Sequence, residues 1–173
     1  MCFRIFGWKI NGNLPSEKKY ICCVAPHTSN WDVVVGVAAR SILRITNARF
    51  LGKSQLFRKP YGWFFRMIGG IPVERSERHD MVEQVSAIIR NSDEFILAIA
   101  PEGTRKKVTK LKTGFWYIAR AANIPIVPVG FDFRKHEVVI GTPLYATDIE
   151  RDMNVLLEFY RGITGKNPEL GID

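Results

Sequence analysis

A chain of 173 residues, 46% of them hydrophobic, is long enough for one packed domain and short for two, so a single domain over residues 1–173 is expected. The net charge of +8 directs the surface toward something anionic (nucleic acid, phospholipid headgroups or a phosphorylated substrate) without choosing among them. No apolar run reaches the length of a spanning helix, and three cysteines, Cys2 and the adjacent pair Cys22 and Cys23, fit reduced thiols in a cytosolic protein rather than a disulfide framework or a metal site.

The N-terminus MCFRIFGWKINGNLP lacks the apolar region and cleavage pattern of a signal peptide, so the chain is expected to begin near Met1 on the cytoplasmic side. KYICCVAP reads as a short buried strand ended by Pro26, in which Cys22 and Cys23 are packing residues, and the apolar run from Trp31 to Ile45 reads as a helix. ARFLGK is a strand. Met81, Val82, Val85, Ile88 and Ile89 recur at helical spacing over residues 80–90, and EFILAIAP supplies a continuous apolar strand closed by Pro101. KTGFWYIARAAN reads as a helix with Asn123 near its C-terminus, followed by the strands IPIVPVGF and HEVVIG. A last amphipathic helix spans roughly Asp152 to Tyr160. This alternation predicts an α/β fold, a single domain with a central mixed, partly parallel sheet flanked by helices, and ligands at the carboxyl ends of its strands.

Three stretches carry candidate chemistry. In HTSNWD, Ser29 and Asp32 fit the S/T-x-x-D/E capping pattern, with the carboxylate at the positive end of the helix. Capping does not account for His27, which stands just before the cap at the end of a strand. A bend at Thr28 and Ser29 lets Asp32 reach back to one imidazole nitrogen, giving a base with its orienter. In PEGTR, Gly103 allows close backbone approach, Thr104 offers a hydroxyl and Arg105 a planar fork suited to phosphate, although a turn with solvated charge has the same composition. His27 and Glu102 both follow strands and are expected to share one rim of the sheet. In GGIPVER, Arg75 is a second candidate anion ligand or a solvated charge.

Taken in order, HTSNWD, GGIPVER, PEGTR and IPIVPVGF resemble the motifs of the lysophospholipid acyltransferase family, the 1-acyl-sn-glycerol-3-phosphate acyltransferases among them, over about residues 10 to 142. The resemblance implies that His27 is the general base and Asp32 its partner. It also implies that Arg75, Glu102, Gly103, Thr104 and Arg105 bind a phosphorylated acyl acceptor, with Lys112 before Gly114 as a further phosphate contact. Pro72 and Glu74 stand where the family's second block commonly has phenylalanine and aspartate, which bears on acceptor choice. Many members also carry hydrophobic N-terminal helices not present in this sequence, which bears on membrane attachment.

The implied reaction is direct transfer from acyl-CoA or an acyl carrier protein, as co-substrate, to the hydroxyl of a lysophospholipid such as 1-acylglycerol 3-phosphate. Neither a bound cofactor nor a metal is expected: His79 and His136 are far from the His27–Asp32 pair in sequence, and no ligand spacing surrounds it. There is no G-x-S-x-G nucleophile elbow, and ARFLGKS fails as a P-loop because Asn47 occupies the place of the first glycine. The remaining alternative is a basic membrane- or nucleic-acid-binding module without catalysis. LFRKPYGWFFRM mixes aromatic, aliphatic and basic residues as insertion into an anionic membrane surface requires, although Trp63, Phe64 and Phe65 could equally be partly core. Peripheral association with the cytoplasmic face of a membrane, and no nucleic acid, is the expectation.

Overall fold

A computed structural model describes residues 7–73, 78–104 and 106–172. Seven strands, β1 (Lys9–Asn11), β2 (Lys19–Val24), β3 (Ala48–Lys53), β4 (Gly70–Val73), β5 (Phe95–Ile99), β6 (Ile126–Asp132) and β7 (Glu137–Ile140), form one sheet in the order β1-β7-β6-β2-β5-β3-β4. All neighbours pair in parallel except β6 and β7, which form an antiparallel hairpin. Among the described residues the helices are α1 (Trp31–Ile42), α2 (Gly62–Met67), α3 (Arg78–Arg90), α4 (Gly114–Ala122) and α5 (Ile149–Arg161), with 3-10 turns at Ser54–Phe57 and Pro168–Leu170. The sheet is thus mixed and mostly parallel, the α/β architecture that strand-helix alternation predicts.

Strand alternation divides the core. Ile21 and Cys23 of β2 join Leu97 and Ile126 on the face covered by α3, α4 and α5, where Val85, Ile118 and Leu156 pack. Tyr20 and Cys22 face the other way, onto Val35 and Ala39 of α1 and onto Phe131 and Val138. Adjacent residues on a strand point to opposite faces, so the neighbouring cysteines sit in different halves of the core. Both thiols are buried and free, and burial pushes each up to about 12, which makes them packing groups rather than nucleophiles. Each fully buried Ile or Leu here contributes roughly 1.5–3 kcal/mol by leaving water.

Three elements were not apparent from periodicity. β1 and β4 are sheet-edge strands of three and four residues. β4 tolerates Pro72 because an edge strand can leave its missing N–H unpaired. α2, at six residues, is too short to show a helical repeat. The apolar run starting at Trp31 was expected to be helical as far as Ile45, but α1 ends at Ile42. Arg44 takes a positive φ of 56° that breaks the helix, and Leu43 and Ile45 pack against the core from the turn instead. α4 closes as expected at Asn123, in the left-handed conformation at φ 52° and ψ 50°. α5 starts earlier than its apolar stripe because the Asp148 side chain accepts the Arg151 N–H at 2.8 Å.

Candidate active site

β2 and β5 lie side by side in parallel, Cys23 opposite Ile99, so the segments leaving their carboxyl ends emerge together. His27 and Glu102 therefore meet on one rim. The His27 backbone N–H donates to both carboxylate oxygens of Glu102, at 3.1 and 2.8 Å. Glu102 is 2% exposed, and its carboxyl is pushed up to about 7, chiefly by burial, with the charge of Asp32 adding and the His27 amide opposing.

Asp32 lies in the first turn of α1 with its side chain 1% exposed. One oxygen, Oδ2, accepts the Thr28 N–H at 2.8 Å and the Ser29 N–H at 2.7 Å, and lies 3.1 Å from Nδ1 of His27. The same carboxylate thus performs the returning half of the expected capping box and holds the imidazole. The other half differs: the Ser29 hydroxyl accepts from Trp31 N–H at 3.2 Å, and the residue at the N-cap is Asn30, whose side chain makes no capping bond. The bend at Thr28 and Ser29 lets a helix-borne carboxylate turn back to a residue that precedes the helix.

Gly103 follows Glu102 at a φ of 64°, a conformation open to glycine. The Lys112 side chain lies across it so closely that a Cβ on Gly103 would come within 2.6 Å of Nζ. The Lys112 N–H donates to Pro101 O at 2.8 Å, and Thr104 Oγ1 accepts the Lys106 N–H at 3.3 Å. Glu102 therefore meets His27, and Lys112 closes over Gly103, the next residue along. Arg75 and Arg105 lie outside the described residues. Among the described residues no group of three His, Cys, Asp or Glu side chains is placed to hold a metal ion.

His27 and Asp32 line a cavity of about 510 Å³ between α1 and the sheet, within the ~300–1,000 Å³ typical of small-molecule sites. Its walls are mostly apolar, including Gly36 and Val37 of α1, Ala98 of β5, Phe131 of β6 and Phe65 of α2, with Arg40 and Arg49 also on the lining. Periodicity cannot distinguish such a wall from ordinary core, and only the packing of α1 above the sheet opens it.

The C-terminal segment supplies contacts that were not apparent from the sequence. Asn167 Nδ2 donates to Thr28 O at 2.9 Å and its backbone N–H donates to Thr28 Oγ1 at 3.2 Å. The Tyr160 hydroxyl donates to the carbonyl of Cys23 on β2, upstream of His27.

An α/β domain with a carboxylate-held histidine on the lining of a largely apolar cavity is the class of protein that fold and site define. The chain belongs to the Acyltransferase family, whose model matches residues 8–132. It is 28% identical over 137 residues to a 1-acyl-sn-glycerol-3-phosphate acyltransferase of Haemophilus influenzae, covering 73% of this chain and 55% of that protein. A protein of the same description from Escherichia coli is 26% identical over 133 residues, covering 72% and 53%. The chain thus spans about half the length of these relatives. The crystal structure of the 1-acyl-sn-glycerophosphate (LPA) acyltransferase PlsC of Thermotoga maritima superposes with a TM-score of 0.63 at 23% identity, over 92% of this chain and 73% of that one, and shares the fold.

Proposed function

We propose that this chain is an O-acyltransferase that moves a fatty acyl group from an acyl thioester, acyl-CoA or acyl carrier protein, to the hydroxyl of a lysophospholipid such as 1-acylglycerol 3-phosphate. The observation that carries this reading is that the His27–Asp32 pair lines the largely apolar cavity. With Nδ1 donating to Asp32, Nε2 of His27 is the nitrogen that takes the acceptor's hydroxyl proton, and the buried carboxylate stabilises the imidazolium that forms. The acceptor oxygen attacks the thioester carbonyl and the C–S bond breaks. The proton on His27 passes to the departing thiolate, leaving ester and free thiol with no acyl-enzyme.

The acyl chain lies in the cavity between α1 and the sheet, where it meets aliphatic and aromatic walls. Lys112, lying across Gly103, together with Thr104 and with Arg75 and Arg105, binds the acceptor phosphate. Family membership and the relatives' descriptions support this assignment. The basic charge supports peripheral attachment to an anionic membrane surface, from which an acceptor with one hydrocarbon chain would be drawn. No helix among the described residues is long and apolar enough to cross a membrane.

Purified protein given palmitoyl-CoA and lysophosphatidate should release thiol in proportion to new diacyl product, and His27→Ala should abolish the release. Unchanged release by His27→Ala at full folding would remove His27 as base. Release without product would make the chain a thioesterase.

A further inference from the structure

The charge and the exposed apolar surface of this chain are concentrated in the same place. From Val33 to Val73 the sequence contains seven lysines and arginines and no aspartate or glutamate, so this stretch carries seven of the eight net positive charges. Arg44, Arg49, Arg58, Lys59 and Arg66 within it are exposed. The large exposed apolar side chains gather there too. Trp31, Val34 and Val37 stand 59%, 56% and 43% exposed on α1, and Tyr61, Trp63 and Met67 stand 70%, 66% and 64% exposed at α2.

The segments that carry these side chains meet. The Arg40 guanidinium of α1 donates to the carbonyl of Ile68 just after α2, at 3.0 Å. Val33 and Val37 of α1, Leu56 of the 3-10 turn and Phe65 of α2 all line the cavity, so the two helical segments flank the same opening. Val33, Val37 and Leu56 are at once cavity lining and exposed surface. A wall that turns outward in this way is a path for a hydrocarbon chain that never crosses water.

We infer that the outer face of α1, the Ser54–Phe57 turn and α2 seat on the interfacial layer of an anionic phospholipid leaflet, with Trp31 and Trp63 entering it and the cavity opening onto it. The charge is complementary to acidic headgroups, and tryptophan and tyrosine are the rings that settle at the headgroup level. Long basic side chains can lay their stems on the apolar layer and their charges among the phosphates. A nucleic-acid surface would use the same arginines and rings but has no use for exposed Val34, Val37, Leu56 and Met67, which favours lipid. The inference rests on the acyltransferase reading only for what enters the cavity; the docking stands on charge and exposure alone.

The test is fluorescence of the whole chain with vesicles of phosphatidylglycerol, with and without brominated acyl chains, against phosphatidylcholine and a single-stranded oligonucleotide across a salt series. The chain should partition onto phosphatidylglycerol, weaken as salt rises and be quenched by bromine. Trp31→Phe with Trp63→Phe should remove most of the quenching, whereas Trp116→Phe should not, since Trp116 is 2% exposed. Trp63→Ala with Phe64→Ala should weaken partitioning by about tenfold or more, its Tm confirming the fold.

Quenching that survives loss of both exposed tryptophans overturns the choice of face while leaving membrane attachment standing. Preference for the oligonucleotide, or self-association that vesicles do not relieve, overturns lipid as the occupant. Absence of partitioning at low salt overturns the docking altogether. Thiol release with a short-chain thioester and a water-soluble acceptor needs no vesicle, so failure of docking and failure of transfer are read separately.

Discussion

Glu102 turns both carboxylate oxygens onto the backbone N–H of His27 and is itself 2% exposed. A group that grips the acceptor and a group that fixes the histidine have different kinetic signatures: the first raises KM when removed, the second lowers kcat. The geometry favours the second for Glu102. Glu102→Ala is expected to lower kcat by about 10–100-fold with KM for the acceptor nearly unchanged, as for residues that orient a catalytic group from behind. Glu102→Gln, which keeps an acceptor for the amide, should restore most of the rate. A large KM effect in Glu102→Gln with kcat intact would return the residue to direct acceptor binding.

The same carboxyl sets a pH dependence of stability. Burial holds it near 7 against an ordinary value of 4.5, so between those values the folded chain keeps a proton that the unfolded chain has released. The stability contributed is fully present below about pH 4.5 and is lost as pH rises through about 7, up to about 3 kcal/mol. His27 and Asp32 face the group, and their charges act on it in opposite directions. Calorimetric Tm values should show Glu102→Gln gaining on the native chain between pH 5 and pH 8. A difference that is flat across that range would mean Glu102 ionises normally.

Asp32 holds a helix start and a histidine with one oxygen, and the two roles separate in Asp32→Asn. If the amide oxygen takes the place of Oδ2, the bonds from Thr28 and Ser29 survive, but the neutral group no longer stabilises an imidazolium. The new NH₂ falls where Oδ1 is now buried without a partner among the described residues, costing about 1–3 kcal/mol. Activity should fall by about 10²–10⁴ while the chain stays folded at 25 °C. Loss of rate only in step with loss of fold, followed by circular dichroism, would leave Asp32 a capping residue alone.

Gly36 lines the cavity, and a Cβ there would stand 3.5 Å from the ring of Phe131. One carbon fits at ordinary contact, but a branched side chain fills the channel. Gly36→Leu should therefore shift preference toward shorter acyl thioesters, with kcat/KM for long chains falling at least about tenfold and that for short chains held. The tenfold drop is the order expected when a few methylenes lose their place in an apolar pocket. A uniform loss across chain lengths would place the acyl group elsewhere.

How much of this was legible in the sequence depended on range. β3 was legible because ARFLGK is bounded on both sides by polar residues, and the meeting of His27 with Glu102 followed from two apolar runs that each end in proline. The inward turn of Glu102 was not, because it depends on the parallel register of β2 with β5, which no local pattern encodes. Nor was the split character of α1. Trp31, Val34 and Val37 share one apolar run with Val35 and Ala39, yet the first three are exposed while Val35 and Ala39 are buried. An unbroken apolar helix leaves no polar stripe to mark its solvent side.

Asn167 shows the longest-range dependence, since it meets Thr28 across 139 residues and lies beyond the region matched by the family. Its amide N–H holds the Thr28 carbonyl next to His27, and Gly165 packs so tightly on Thr28 that a Cβ would come within 2.9 Å of Oγ1. The tail thereby fixes the segment that presents the histidine. Asn167→Asp keeps the shape and the backbone bond but replaces the donor with an oxygen facing a carbonyl, a change of about 1–3 kcal/mol at a part-buried site. We expect kcat to fall with KM unchanged in Asn167→Asp, Asn167→Ala to be milder, and hydrogen exchange at the Thr28 and Ser29 amides to quicken in both. Native kcat in Asn167→Asp, with those amides as protected as before, would show that the His27 segment holds its place without the tail.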